Sequence, residues 1–431
     1  MPENSTSQQL KTWLTNNTVS IIFITMAIIG FLVSKDITIG FFISQLSERF
    51  FRNAFLILSL IIPVIAGLGM NFGIVVGAMA AQIAMFIVRY FELGNIPGLL
   101  LMVLIATPIA AVFGLLTGML YNNTKGQEMI AGLILSYFAN GVYLFIMLVM
   151  IGAIIPVNPT HPLINPSGVG VRMTIDLVAL NKGGLKSVIA NMIQVPFMWA
   201  ALALGIILLA YVVIRFFLNR KNPAVPKTNP VIFGFSIAAC LAVIGISINA
   251  IVTNNSLMTT IRKAPVVTSI LIGLLCIFTN FFLKTKLGQD FRSVGQNQHI
   301  AEISGINVNR TRIIAVIFST VLASWGHIIY LQDMGTVATY DAHRQIGMFS
   351  VAAILIGGAT VSKATVKHAL LGCVTFHAMF IVSPEIGKAV FGNALLGEYF
   401  RTFMLYGIIG VSLGIYVYNN MKKSKPKIEE D

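Results

Sequence analysis

Charge is scarce in this chain. Only 10% of its 431 residues are Asp, Glu, Lys or Arg, against about 25% in a soluble domain, too few to cover the surface of a soluble protein of this length. Cysteine is rarer still. Cys240, Cys276 and Cys373 each sit inside an apolar run, without the spacing of a metal site or a disulfide framework. The sequence holds no H-E-x-x-H and no G-x-S-x-G, and no pair of carboxylates falls within one apolar run, so the common hydrolytic sites have no foothold. The nearest approach to a phosphate-binding loop, Lys182-Gly183-Gly184-Leu185-Lys186-Ser187, lacks the spacing that would cradle phosphates. The ten-residue alternating segments of a closed membrane barrel are missing, and no polar stretch is long enough for a separate soluble domain.

Hydrophobic residues fill the space, at 56% of the chain. About twelve apolar segments, each near the length of a membrane span, cover roughly 19–35, 54–70, 72–91, 98–121, 129–152, 194–218, 231–251, 265–283, 312–331, 346–361, 366–383 and 396–419. The pattern predicts an all-α polytopic membrane protein, a bundle of about 10–12 transmembrane helices with at least one broken or re-entrant element. Three regions follow: a polar N-terminal segment 1–18, a membrane domain 19–420 and a short charged tail 421–431. The first apolar run is not followed by a small-residue cleavage pattern, so it reads as a retained helix. Between spans, 155–192 is rich in Pro, Asn and Gly and reads as an external loop, while 284–311 reads as a cytoplasmic one.

The formal net charge of +14 invites a nucleic-acid reading. The basic residues are scattered between apolar runs, however, and form no stripe with interleaved aromatics, so nucleic acid is excluded as a partner. Basic residues gather instead in the cytoplasmic loops of membrane proteins. With the N-terminus inside, seventeen of the 29 basic residues fall on the inner side. The bias is clear from residue 215 onward, through Lys284, Lys286, Arg292, Arg310 and Arg312 to the lysines of the tail. An even helix count returns the C-terminus to the cytoplasm. Lys35, Arg49 and Arg52 run against the rule by falling outside.

Two apolar segments meet with no polar loop between them, at Gly67-Leu68-Gly69-Met70-Asn71-Phe72-Gly73. Non-helical backbone at membrane depth survives only where protein or a water-filled cavity satisfies it, which makes this junction a candidate pathway element. The turn at 362–367 interrupts apolar runs in a similar way. Gly73-x-x-x-Gly77, Gly114-x-x-x-Gly118 and Gly410-x-x-x-Gly414 are first of all sites of close helix packing.

Ionisable residues inside a membrane are costly and usually functional. Glu128, Asp333 and Glu398 fall near segment ends. That scarcity of mid-span carboxylates counts against an ion-coupled carrier, which commonly places them in its pathway. His327 and His377 are the mid-span exceptions, and a lone histidine in a bundle is more often a hydrogen-bonded structural residue than a ligand. The candidate pathway-lining residues are Asn71, Gln82, Tyr137, Asn140, Asn280, Ser324, Trp325 and His327. Each also has an ordinary use in hydrogen bonding between helices.

The inner loop carries the most specific local pattern. Asn297 can cap a short helix from Gln298 to Ser304, and Gly305 can end it in the left-handed conformation. A short amphipathic helix presented between spans can fit a groove of a cytoplasmic partner; it can equally be an ordinary surface helix. The run Leu287-Gly288-Gln289-Asp290-Phe291-Arg292-Ser293-Val294-Gly295-Gln296-Asn297, with Ala301 through Val308 after it, resembles the pattern L-G-x-x-x-R-A-x-G-x-N then A-A-x-x-x-G-I. That pattern marks the branched-chain amino acid, simple-sugar and nucleoside permease family of ABC importers. Ala352-Ala353-Ile354-Leu355-Ile356-Gly357-Gly358 and Gly114 to Ile130 are similar to other parts of it, and the resemblance runs over roughly 54–152 and 265–420. Glu302 departs from the family's second alanine, Thr360 to Ala364 departs from its glycine-rich turn, and the chain is enlarged at 155–192 and around 222–251.

The resemblance implies a translocation subunit of a bacterial inner membrane, with both termini cytoplasmic and no catalysis of its own. A second permease copy or paralogue would complete the pathway. A separate cytoplasmic ATPase, using ATP and Mg, would dock on the loop through Gly295, Gln296, Asn297, Ile300, Ala301, Glu302, Ile303, Gly305 and Ile306. An extracellular or periplasmic solute-binding protein would deliver the solute, a simple sugar or nucleoside more than a branched-chain amino acid. No cofactor is expected on this chain itself. The alternatives are an ion-coupled secondary transporter for a small polar solute and, further off, a membrane scaffold or enzyme without transport.

Overall fold

Backbone inside a bilayer must hydrogen-bond to itself, and the apolar runs do so as helices. A computed structural model of the protein describes residues 18–34, 37–178, 183–221, 230–254 and 260–424. Most of the N-terminal segment, residues 1–17, and the end of the tail, 425–431, lie outside the described residues, as does the centre of the inner loop near residue 225.

The long helices are α1 (Thr18–Val33), α2 (Ile39–Leu58), α4 (Ile74–Tyr90), α5 (Asn95–Asn123) and α6 (Glu128–Phe145), with the short α3 (Ile61–Ile65) between α2 and α4. A π-helical turn, Ile146–Met150, extends α6. After the polar segment, with its small α7 (Val188–Met192), come α8 (Phe197–Lys221), α9 (Pro230–Val252) and α10 (Val266–Phe282). Then follow α11 (Lys286–Gln296), α12 (Gln298–Ile303), α13 (Val308–Met334), α14 (Ala342–Ile356), α15 (Val366–Phe391) and α16 (Ala394–Ser424). Six helical stretches are long and apolar enough to cross a membrane among the described residues, and α10 with α11, bent by 73°, makes up to seven. α1, α4 and α14 are apolar but shorter. The expected ten to twelve passes are thus a mixture of full spans and short helices that rely on their neighbours.

The segment read as 54–70 is not a span of its own. It is the end of α2, the one turn of α3 and an irregular descent to α4. Arg49 and Arg52, expected in an outer loop, lie within α2; Arg52 is paired there with Asp333 of α13 and Arg49 lies over the Phe380 ring of α15. The junction is almost wholly buried: Leu60, Ile61, Ile62, Leu68, Met70 and Ile74 are each fully covered. Gly67 and Gly69 have positive φ of 77° and 70°, which residues with a Cβ avoid. The broken element is therefore surrounded by protein, one of the two settings that membrane-depth irregular backbone tolerates. A second break follows α14, where Gly357 and Gly372 face one another. A Cβ on Gly357 would stand 1.9 Å from the His368 carbonyl oxygen, and one on Gly372 1.9 Å from that of Ala353.

α13 is the axle of the bundle. Gly77 of α4 lies against the Thr320 carbonyl, Gly114 and Gly118 of α5 against Ile317 and Ile313, and Gly326 of α13 against Leu56 of α2. Of the three small-residue pairs, Gly73/Gly77 and Gly114/Gly118 are packing sites, whereas Gly410 and Gly414 face open space in this chain. α8 and α9 form a peripheral hairpin, with Phe216 and Phe233 stacked at 3.8 Å, and only 11% of either span is buried. This hairpin is the extra one visible in the sequence around 222–251.

The polar segment 155–192 is folded over the end of the bundle opposite α12. β1 (Thr174–Asp176) pairs antiparallel with β4 (Thr336–Ala338), and β2 (Gln194–Val195) with β3 (Ala264–Pro265). Ser187 N–H donates to the Gln332 carbonyl at 2.6 Å and Ile189 N–H to Gln332 Oε1 at 3.1 Å, pinning the segment to the last turn of α13.

Candidate functional site

Two places gather polar side chains that a membrane bundle would otherwise exclude. The first is a buried chamber where α4, α6, α13 and α14 meet. α4 and α13 run in the same direction and touch at Gly77 and Thr320–Ala323. Gln82 stands five residues past Gly77, about 7.5 Å up its axis, and His327 four residues past Ala323, about 6 Å up its own. His343, on the first turn of α14, completes the group. Its Nε2 lies 2.8 Å from Asn140 Oδ1 on α6, and its Nδ1 is in hydrogen-bond contact with Gln82 Oε1. The Tyr143 ring meets the His343 ring at 4.7 Å. His327 is near enough to His343 for the two imidazoles to interact electrostatically.

The chamber is unsatisfied. Gln82 Nε2 and both ring nitrogens of His327 have no hydrogen-bond partner, yet Gln82, His327 and His343 are each at most 1% exposed. A neutral imidazole has one N–H, so His343 can donate to only one of its two flanking amide oxygens. Turning the Gln82 amide would give Nδ1 a donor and free Oε1 instead, so one Gln82 atom stays unpaired in either setting. A buried polar group left unpaired costs about 1–3 kcal/mol. Gln82 and His327 are thus polar groups with hydrogen-bonding capacity to spare inside the bundle. The donors and acceptors are amides and imidazoles, a set suited to a neutral hydrogen-bonding molecule.

A lid closes the chamber on the side away from α12. Tyr143 OH donates to the Thr339 carbonyl at 3.1 Å, Thr339 Oγ1 to the Arg172 carbonyl at 2.7 Å, and Tyr340 OH to the Val171 carbonyl. Burial raises the pKa of the Tyr340 phenol, so it remains a donor at neutral pH. On the other side the chamber rests on a fully paired network. Tyr121 OH donates to Asn71 Oδ1 at 2.9 Å, Asn71 Nδ2 to Ser319 Oγ at 3.1 Å, and Ser319 Oγ to the Ser59 carbonyl at 3.0 Å. Gly73 N–H donates to Tyr121 OH at 3.3 Å, and Ser136 Oγ to the Phe72 carbonyl at 2.7 Å. Asn71 therefore pins the broken junction, with both ends of its amide occupied.

Of the eight candidate pathway residues, the structure brings Gln82, Asn140 and His327 to the chamber and Asn71 to its floor, and buries Ser324 in α13. The other three face outward. Tyr137 is 52% exposed, Asn280 is exposed, and Trp325 lines an apolar groove of about 420 Å³ with Leu275 and Leu322 while donating to Thr107 Oγ1 at 2.9 Å. Sequence reasoning missed His343 and Tyr143. His343 lies beside Arg344 and Asp341, whose charges moved the expected start of that helix to 346. The ion pair Arg344–Asp341, 2.8 Å, is the signal that the helix begins earlier.

The second place is the loop. Thr285 caps α11, accepting from Gly288 N–H at 3.3 Å. Asn297 Oδ1 caps α12, accepting from His299 and Ile300 N–H at 3.0 and 3.2 Å. Gly305 ends the turn with φ of +82°, as the local sequence requires. Ala301 packs inward on Val294 and Val308, with Ile306 beside them. Ile300 and Ile303 point away, 60% and 74% exposed, and Gln296 and Glu302 are exposed with them. Gly295 anchors this unit: a Cβ there would lie 2.0 Å from the Ile65 carbonyl oxygen, and Gly67 sits directly opposite. The loop and the broken junction, two separate features of the sequence, are one contact.

Arg312 forms the other anchor. It was counted as an inner-loop charge, but it is fully buried and ion-paired with Glu128 at the start of α6. Its Nη2 also donates to the Tyr121 carbonyl at 3.1 Å and its Nη1 to Gln298 Oε1 of α12 at 3.2 Å. One guanidinium thus ties α12 to α5, α6 and α13.

A family described as branched-chain amino acid transport system / permease component matches residues 169–413, more than half of the chain. The match begins after the 54–152 stretch in which the sequence also resembles such permeases. The chain is 33% identical over 85 residues to the nucleoside ABC transporter permease protein NupB of Lactococcus lactis subsp. cremoris, covering 20% of this chain and 23% of that protein. It is 29% identical over 167 residues to the probable ABC transporter permease protein YphD of Escherichia coli, covering 38% and 47%. The chain thus spans less than half the length of these relatives. No solved structure matches it. The chain belongs to the family of branched-chain amino acid transport system permease components.

Proposed function

We propose that this chain is the membrane-spanning permease subunit of an ABC-type importer. It passes a neutral polar solute, a simple sugar or nucleoside, through the chamber at His327 and His343. The energy comes from ATP and Mg on a separate cytoplasmic ATPase, and the chain itself is not an enzyme. A second permease copy or paralogue lines the rest of the pathway, and a solute-binding protein meets the lid at the outer end. The chain lies in a bacterial cytoplasmic membrane with both termini inside.

The observation that carries the reading is α12. Two large apolar side chains, Ile300 and Ile303, stand exposed on a capped helix that is locked to the bundle through Gly295 and Arg312. Exposed apolar residues on a rigid mount suit a groove on a partner, and the mount passes the partner's movement on. The chamber supports the solute class, since the groups facing His343 are amides and a phenol ring.

The test is purification of the tagged protein in mild detergent, with ATP hydrolysis measured and co-purifying chains identified. A stoichiometric ATPase that is lost on Ile303→Arg supports the reading. Burying most of an isoleucine contributes about 1.5–3 kcal/mol, so binding should weaken at least tenfold. Clean isolation without an ATPase, together with solute uptake driven by an ion gradient alone, would establish the ion-coupled carrier instead.

A further inference from the structure

We propose that an anion of the phosphate class binds between α2, α15 and α16, at the end of the bundle opposite α12. The inference does not rest on the transporter reading. Its centre is Phe380. Arg49 of α2 lies over this ring at 4.3 Å and Arg401 of α16 at 3.6 Å. The two guanidiniums are therefore within about 8 Å of each other, held by one ring quadrupole.

Cations brought this close call for a carboxylate, and the structure supplies little. Glu48 is ion-paired with Arg52 and lies 3.3 Å from Arg262, and Asp333 is 2.7 Å from Arg52 and 3.3 Å from Arg262. Those four charges offset one another. Glu385 is 4.0 Å from Lys388. Among the described residues, Arg401 has only Glu398, 4.0 Å from Nη1 and half exposed, and Arg49 makes no ion pair within 4.0 Å.

The surrounding hydrogen-bond donors are idle as well. Arg49 Nε, Arg401 Nη1 and Ser383 Oγ are buried without an acceptor, as is His377 Nδ1. His377, Phe380 and Ser383 follow each other at three-residue spacing and so share one side of α15. Arginine and hydroxyl donors that lack acceptors, in a region with surplus positive charge, are the complement of an oxyanion. The Phe380 ring stands between the two guanidiniums, so a phosphate would lie at the rim of the ring and accept from the idle donors that reach it there. The phosphate can come from a phospholipid headgroup or from solution.

The full-length protein, purified in detergent, would be measured in two arms. Native mass spectrometry with added phosphatidylglycerol or phosphatidylcholine reads lipid retention. Thermal unfolding without phospholipid, titrated with inorganic phosphate, reads the free anion. The wild type should retain phosphatidylglycerol in preference to phosphatidylcholine, at least tenfold more tightly than Arg401→Gln or Arg49→Gln, while Lys388→Gln behaves as wild type. Stabilisation by inorganic phosphate, lost in the same variants, would assign the site to a free anion as well; its absence beside lipid retention would assign it to the headgroup. If Arg49→Gln does not fold, Arg401→Gln, the variant nearer the lipid, decides alone. Equal retention of both lipids with no response to phosphate, or an Arg401→Gln variant indistinguishable from wild type, would overturn the proposal.

Discussion

Replacing Glu128 by glutamine should unlock the end of the bundle that carries α12. Arg312 is fully covered and Glu128 is 2% exposed, so the pair has left water altogether. Glu128→Gln keeps the shape and removes the charge. The guanidinium is then left with the Tyr121 carbonyl and Gln298 Oε1, both neutral. Breaking a buried pair by removing one partner costs about 3–5 kcal/mol, whereas replacing both by apolar residues is often neutral. Unfolding of a large membrane protein is read as a rate, so the assay is the half-life in detergent at a fixed elevated temperature. Glu128→Gln should shorten it by more than tenfold. Glu128→Leu with Arg312→Met should restore it to near wild type. The restored double variant still lacks the bond to Gln298, so it should fold well and couple poorly. A Glu128→Gln half-life equal to wild type would mean that Arg312 reaches water, and a double variant as short-lived as the single one would refute the uncompensated-charge reasoning.

Two other perturbations separate the parts of the reading. Gly295→Ala drives a methyl group into the Ile65 carbonyl at 2.0 Å, an overpacking that costs about 1–3 kcal/mol; solute-stimulated ATP hydrolysis should fall while Gly305→Ala, with nothing within 4 Å but a φ of +82°, leaves it nearer wild type. Asn140→Ala and His343→Ala each leave a chamber group without its partner, a loss of about 1–3 kcal/mol. Uptake of labelled sugar or nucleoside should drop at least fivefold, with ATPase co-purification unchanged.

What could be read from the sequence was local. Asn297 and Gly305 delimit α12 because a cap and a left-handed turn depend on a few adjacent residues. Gly67 and Gly69 announced the broken helix because little else adopts that backbone. Gln82, Asn140, Ser324 and His327 were visible as polar residues in apolar runs. The same rule also picked out Asn280, Tyr137 and Trp325, which face outward, since polarity inside a span does not reveal which side of the helix it occupies. Charge counting did not reveal burial or pairing. Arg312 looked like an inner-loop cation and Arg52 like an outer one, yet the first is paired with Glu128 and the second with Asp333, 281 residues away. No local pattern encodes a partner at that distance.

The geometry also restricts how the chamber could open. α13 carries Arg312 near one end and His327 fifteen residues on, about 22 Å away. Between them the glycines at 77, 114 and 118 seat α4 and α5 directly on its backbone. α6 is held more loosely: its span is 22% buried against 61% for α13, and it passes into a π-helical turn and a kink at Gly152, with φ of +87°. α6 also supplies Asn140 and Tyr143, which face His343, and begins at Glu128, which holds Arg312. Any solute that reaches His327 from the side of α6 must part Asn140 from His343. The same helix carries, at its other end, the carboxylate that answers to the docking loop.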